Sequence, residues 1–312
     1  MHRPAAARAA ALLLALLCLF FTCPQTMSAG SLLSYEAPDS TAQVQAVLYF
    51  RYLNSPYLSP ETRSITVPHT ESLEMALVKE LIRGPGGSAD LLTGLFPGDT
   101  EVLNVLQEGN RLFVTFSRQV ENPLDKENTF SKAAREEAQL RRRLLTASLV
   151  NTLTEYGAFQ DVQVLILRDP GQHSSMRLSE AFYLEDSDLL PGPLTRQEER
   201  IITPGNALSV ILSFWEQQNW SALMKVVALR GDEGSTMKLT DFQQLPALLE
   251  TTVTPGSIAP DGSSAVVLLD AGFKKQDGST ASLAAFPVLL LRSHQGWLMS
   301  LKSLQALLEA AR

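Results

Sequence analysis

From residue 42 onward, stretches with an apolar residue at every second position alternate with stretches of helical spacing, and the switches mark the elements. Gln43 to Leu53 is dense in β-branched, aromatic and aliphatic residues and predicts a strand. Asn54, Ser55, Pro56 and Pro60 then read as a long polar connection. Between Thr70 and Arg83, Leu73, Leu77 and Leu81 recur every four residues beside Val78 and Ile82, the stripe of a helix facing a core. Gly84 and Pro85 stop it, the first by tolerating a left-handed cap and the second because it cannot continue a helix.

Thr100 to Gln107 and Arg111 to Ser117 predict a hairpin about Glu108, Gly109 and Asn110. In its second arm Leu112, Val114 and Phe116 alternate with Arg111, Phe113 and Thr115, so one face is buried. A long helix follows from Ser131 to Tyr156, with Leu140, Leu144, Ala147 and Val150 at helical spacing and Gly157 after it. Asp161 to Arg168 sets Val162, Val164 and Ile166 against Leu165 and Leu167, and apolar residues on both faces predict a central strand. The order β-α-β-β-α-β over residues 42–169 predicts an α+β domain with helices on one face of a small sheet.

Residues 170–202 are polar and broken, with Pro191, Gly192 and Pro193 together and a charged run from Arg196 to Arg200. They read as a linker from which Phe182 and Tyr183 can pack back on the first domain. Residues 203–312 predict a second α+β domain. Thr203 and Pro204 open a helix with Ala207, Leu208, Val210, Ile211, Phe214 and Trp215 on one wide face, and a short helix runs on through Val227. Leu239 to Leu249 reads as a third. Strands are expected at Val253–Ile258, Ala265–Phe273, Ala281–Arg292 and Gly296–Leu301, ahead of a helical tail.

Composition adds an address. Hydrophobic residues are 45% and charged residues 19% of 312, a globular balance, and the formal charge is −7. An acidic body lacks the clustered basic face that nucleic acid requires. Arg3 and Arg8 precede the uncharged run from Ala9 to Thr22, which is short of the roughly 20 apolar residues that span a bilayer and fits an export signal over residues 1–29. Three outcomes stay open there: cleavage after Ala29, lipidation of Cys23 after cleavage before it, or retention as an uncleaved anchor. Cys18 and Cys23 are the two cysteines, which excludes a disulfide scaffold in the body. Membrane contact is expected through this segment alone.

Catalytic patterns are missing from the sequence. His2, His69, His173 and His294 stand apart from one another and from cysteine, without the spacing of a zinc site, and no cofactor is expected. There is no G-x-S-x-G elbow, and Gly84 to Gly87 follows a helix without the Lys-Ser/Thr of a phosphate loop. Asp270 and His294 would make an acid–base pair, with Trp215 beside them, only if the fold brought them within hydrogen-bond reach. Arg141, Arg142 and Arg143 point about 100° apart on a helix and read as a solvated face, or as a contact for an acidic partner or anionic polymer.

Four ordered pieces carry a family resemblance: Leu48 to Ile65, with Tyr57, Leu58, Pro60, Glu61 and Arg63; Leu81 to Pro85; Leu95 to Ser117; and Ser148 to Ile166. Together they resemble the GerMN domain of sporulation and spore germination over about 125 residues. The resemblance implies an exported or lipid-anchored protein on the extracytoplasmic side of a Gram-positive, usually spore-forming, bacterium. It also implies a non-catalytic assembly module that docks to envelope proteins, to copies of itself or to an envelope polymer such as peptidoglycan. Residues 203–312 resemble the nuclear transport factor two-like fold, a cone of sheet under helices, and imply an alternative: a pocket in that cone taking a small molecule or glycan, with or without chemistry.

Overall fold

β1 (Thr41–Tyr52) turns at Leu53 to Tyr57 and pairs antiparallel with β2 (Leu58–Pro68) along its length, from Arg51 opposite Leu58 to Thr41 opposite Pro68. The computed structural model describes residues 41–310 apart from 88–90, 125–126, 128, 169–170, 172–173, 229–236 and 276. The export segment with Cys18 and Cys23, and His173, lie outside the described residues. Residues 41–312 group as one unit. The polar connection expected after Leu53 is therefore corrected to a strand. Pro60 argued against a strand, but β2 is the edge of the sheet β2-β1-β3, where a missing N–H costs little. Ile65 and Val67 still bury alternate positions. β3 (Leu92–Thr93) pairs with the end of β1 on its other side.

Ser72 caps α1 (Leu73–Arg83) by accepting from the Met75 amide, and Gly84 ends it at φ +92°. A second sheet, ordered β4-β5-β6-β7, follows: β4 (Val102–Glu108), β5 (Arg111–Ser117), β6 (Asp161–Leu167) and β7 (Met176–Arg177). β5 and β6 run parallel, joined by α2 (Lys132–Leu153), so β6 is central as its two apolar faces predict. The predicted β-α-β-β-α-β order is present as β1-α1-β4-β5-α2-β6, with β2 and β3 inserted and the strands divided between two sheets. α2 packs on β1 of the first sheet and on β6 of the second. Burial on several sides explains why Leu144 to Thr152 are buried without interruption, where periodicity predicts a single stripe.

The segment expected as a linker adds β7 and β8 (Leu194–Thr195) to the β6 edge, and buries Phe182 and Tyr183. α3 (Pro204–Glu216) is capped by Thr203 and followed by α4 (Trp220–Lys225) and β9 (Val227–Ala228). α5 covers only Leu239–Phe242, and β10 takes Ala247–Val253, which corrects the helix expected from Leu239 to Leu249. Pro246 divides the two, and its carbonyl accepts the Trp215 indole N–H at 2.9 Å. β11 (Ser257–Ile258), β12 (Ser264–Lys274), β13 (Thr280–Ser293) and β14 (Gly296–Ser300) complete a sheet ordered β10-β12-β13-β14-β9, and α6 (Leu301–Ala310) lies on β13 and β14. The class is α+β, as the element order predicts.

One seam joins the C-terminal sheet to the first. The Tyr52 hydroxyl donates to the Trp297 carbonyl at 2.8 Å, and the Ile202 amide donates to the Leu58 carbonyl at 2.8 Å. Gly296, at φ +142°, lies so near that a Cβ there would meet the Tyr52 ring at 2.7 Å. Tyr52, Leu58 and Trp297 are all buried.

Candidate functional site

The conditional acid–base pair of Asp270 and His294 is not assembled. Asp270 accepts from the Ala285 amide at 2.6 Å, beside an irregularity in the β12–β13 register. His294 is exposed in the β13–β14 turn, nine residues further along, or about 30 Å of extended strand. Trp215 is core, packed 5.8 Å from Phe273. The cavity near its rim, about 140 Å³, includes neither Asp270 nor His294. His69 is exposed, and among the described residues no group of three His, Cys, Asp or Glu is placed to hold a metal ion. Among them, too, no helix is long and apolar enough to cross a membrane.

The motif residues that carry the family resemblance fasten one backbone segment. Glu61, buried on β2, accepts from the Gly86 amide at 3.1 Å and pairs with Arg63 at 3.3 Å. Arg63 donates to the Gly84 carbonyl at 3.1 Å and the Glu80 carbonyl at 2.9 Å, and lies 5.7 Å over the Phe50 ring. Arg63 on β2 thus supplies the Gly84 carbonyl beyond the end of α1 and adds a second donor to the Glu80 carbonyl, which already accepts the Gly84 amide. These charges hold the exit of α1 in place.

Of the three arginines of α2, Arg142 corrects its solvated reading, while Arg143 stays half exposed. Arg142 is buried and pairs with Glu127 at 2.7 Å, donates to the Phe182 carbonyl at 2.9 Å and lies 5.3 Å over the Phe182 ring. Arg143 pairs with Glu185 and covers the Tyr183 ring. Arg142 and Arg143 are thus each paired with a glutamate of the same chain. A second network ties the same crossing segment to β1: the Tyr49 hydroxyl donates to Glu155 at 2.7 Å, and Arg196 donates to the Tyr49 hydroxyl at 3.0 Å. Burial first, then the bond to Glu155, push the Tyr49 phenol up to about 12, with Arg196 pulling the other way.

A docking geometry is present at β4. It is an edge strand whose one strand partner among the described residues is β5, so its outer backbone groups are open to pairing. Leu103 is 41% and Leu106 58% exposed on it. A groove of about 300 Å³ runs beside this edge, between Val102, Leu103 and Val105 and the α1 residues Met75 and Lys79. Sequence reading placed the strand without showing that it is an edge. The run Val102, Leu103, Val105 and Leu106 puts apolar side chains on both faces, the pattern of a covered strand, and so hid the edge position.

An α+β fold with β4 at the edge of one sheet is the class these observations define. Residues 47–167 match the family model of the Germane domain, described as "Sporulation and spore germination". Among solved structures, the tandem GerMN domains of the sporulation protein GerM from Bacillus subtilis align at 18% identity with a TM-score of 0.32, covering 52% of this chain and 48% of that one. The chain therefore spans about half the length of that structure. The first GerMN domain of the same protein aligns at 19% identity with a TM-score of 0.29, covering 44% of this chain and 94% of that one. No curated protein matches.

Proposed function

We propose that this chain is an exported, non-catalytic envelope protein of a Gram-positive bacterium that works as a docking module during sporulation or germination. The family match over residues 47–167 supports the process. The observation that carries the docking role is the open edge of β4 with Leu103 and Leu106 exposed beside a groove. Main-chain pairing along such an edge supplies affinity, and alternate side chains supply register. The partner is an envelope protein or a second copy of this chain, and the N-terminal segment, by cleavage, by lipidation at Cys23 or as an anchor, sets its distance from the membrane. Residues 203–312, which resemble the nuclear transport factor two-like fold, are carried along the same seam as a fixed second domain.

Deletion of the gene in its host, with complementation by the wild type and by Leu103→Asp/Leu106→Asp, tests this reading. The expected result is a loss of heat-resistant or germination-competent spores that the wild type restores and the double variant does not. Spore yield and germination unchanged on deletion would sink it. Both substitutions lie on exposed positions, so the variant protein is expected to accumulate normally.

A further inference from the structure

A cleft of about 230 Å³ opens between α2 and the segment that crosses it from Glu180 to Arg200. Arg143 on its wall is committed to Glu185 and to the Tyr183 ring. Arg200 and Glu180 are not so committed. The Arg200 guanidinium has no hydrogen-bond or ion-pair partner among the described residues, and the Glu180 carboxylate accepts only the Ser187 hydroxyl, at 2.6 Å. The Gln197 side-chain amide has no partner among the described residues either, while its backbone is pinned by Asn151 through bonds of 2.8 and 3.1 Å. The cleft therefore holds a guanidinium and a carboxylate that do not pair with each other, on a backbone fixed before any ligand arrives.

Charge and size narrow the ligand. Glu180 and Glu185 together repel a purely anionic group, and Arg143 and Arg200 repel a purely cationic one. The volume falls below the roughly 300 Å³ at which drug-sized pockets begin, which suits a small ligand. Tyr183 is buried, with Arg143 over its ring, so no aromatic face is left for a sugar to stack on. We propose that this cleft binds a free zwitterionic α-amino acid. Its carboxylate sits on the forked Arg200 donors and its ammonium on Glu180. The inference does not depend on the docking role of β4, which lies on another strand.

Calorimetric titration of the full chain with glycine, L-alanine and L-glutamate tests it, against propionate, which lacks the ammonium, and alaninamide, which lacks the carboxylate. At least one amino acid is expected to bind, with both truncated analogues weaker by about tenfold or more. Arg200→Ala and Glu180→Gln should each weaken that amino acid by about tenfold or more without moving the thermal unfolding curve. If Arg200→Ala does not fold, Arg200→Lys, which keeps the charge and loses the fork, is expected to weaken binding in its place. No heat from any amino acid up to about 10 mM with folded wild type, or equal binding in the variants, overturns the proposal.

Discussion

Replacing Arg142 with alanine separates the two readings of the arginine run by a measurable margin. On a solvated face the change would cost within about 0.5 kcal/mol. In the structure the Arg142 and Glu127 side chains are 7% and 4% exposed and 2.7 Å apart, and Arg142 also serves the Phe182 carbonyl and ring. Removing the guanidinium leaves the Glu127 carboxylate buried with the Leu124 amide, 3.2 Å away, as its remaining donor among the described residues. Breaking one side of a buried pair costs about 3–5 kcal/mol, because the surviving charge keeps its desolvation penalty. At about 2–4 °C per kcal/mol for a chain of this size, the midpoint should fall by about 6–20 °C. Calorimetric melting is the assay, with Arg143→Ala as the control, since its pair with Glu185 is half exposed and worth at most about 1 kcal/mol. Arg142→Met/Glu127→Leu should recover most of the loss, as the orphaned charge is gone. If Arg142→Ala melts with Arg143→Ala, the buried-pair reasoning is wrong.

Other expectations follow from single contacts. Leu144→Ala should cost about 2–5 kcal/mol in denaturant unfolding, because the side chain is fully buried on α2. Gly296→Ala should cost about 1–3 kcal/mol, since the added Cβ meets the Tyr52 ring at a positive φ. Tyr52→Phe should cost about 1 kcal/mol, the worth of one hydrogen bond to Trp297. Raised phenol values in the fold, at Tyr49 to about 12 and upward at the buried Tyr52, favour the neutral form. Their contribution to stability is complete below the ordinary value near 10 and lost as pH rises through the folded one. Unfolding curves between pH about 9 and 12 should show that loss, with a shallower slope in Tyr49→Phe.

The elements with one buried face were legible because periodicity needs nothing beyond the neighbours in the chain. β5, α1 and α3 sit where their spacing puts them, within a few residues. β2 was not legible, because Pro60 and the charged Glu61 and Arg63 argue for a loop until an edge position and the α1 exit give each a role. Leu239 to Leu249 has helical apolar spacing, yet Pro246 and the demand of β12 for a partner win over it. Pro246 was the available warning. Arg142 was misread for a different reason: Glu127 and Phe182 lie 15 and 40 residues away along the chain, and spacing cannot show that a folded segment returns to cover a helix. The cleft at Arg200 is built from that same return, so neither its shape nor its unpaired charges could be read in advance.

The docking role is tested most directly by site-specific photocrosslinking from position 106 of the full chain in the living host, with Glu216, exposed at the end of α3, as the control. The account predicts a discrete crosslinked species from position 106 during sporulation or germination, to an envelope protein or to a second copy of this chain. It also predicts no such species from position 216. No crosslink from 106 at either stage, or the same products from both positions, would contradict it.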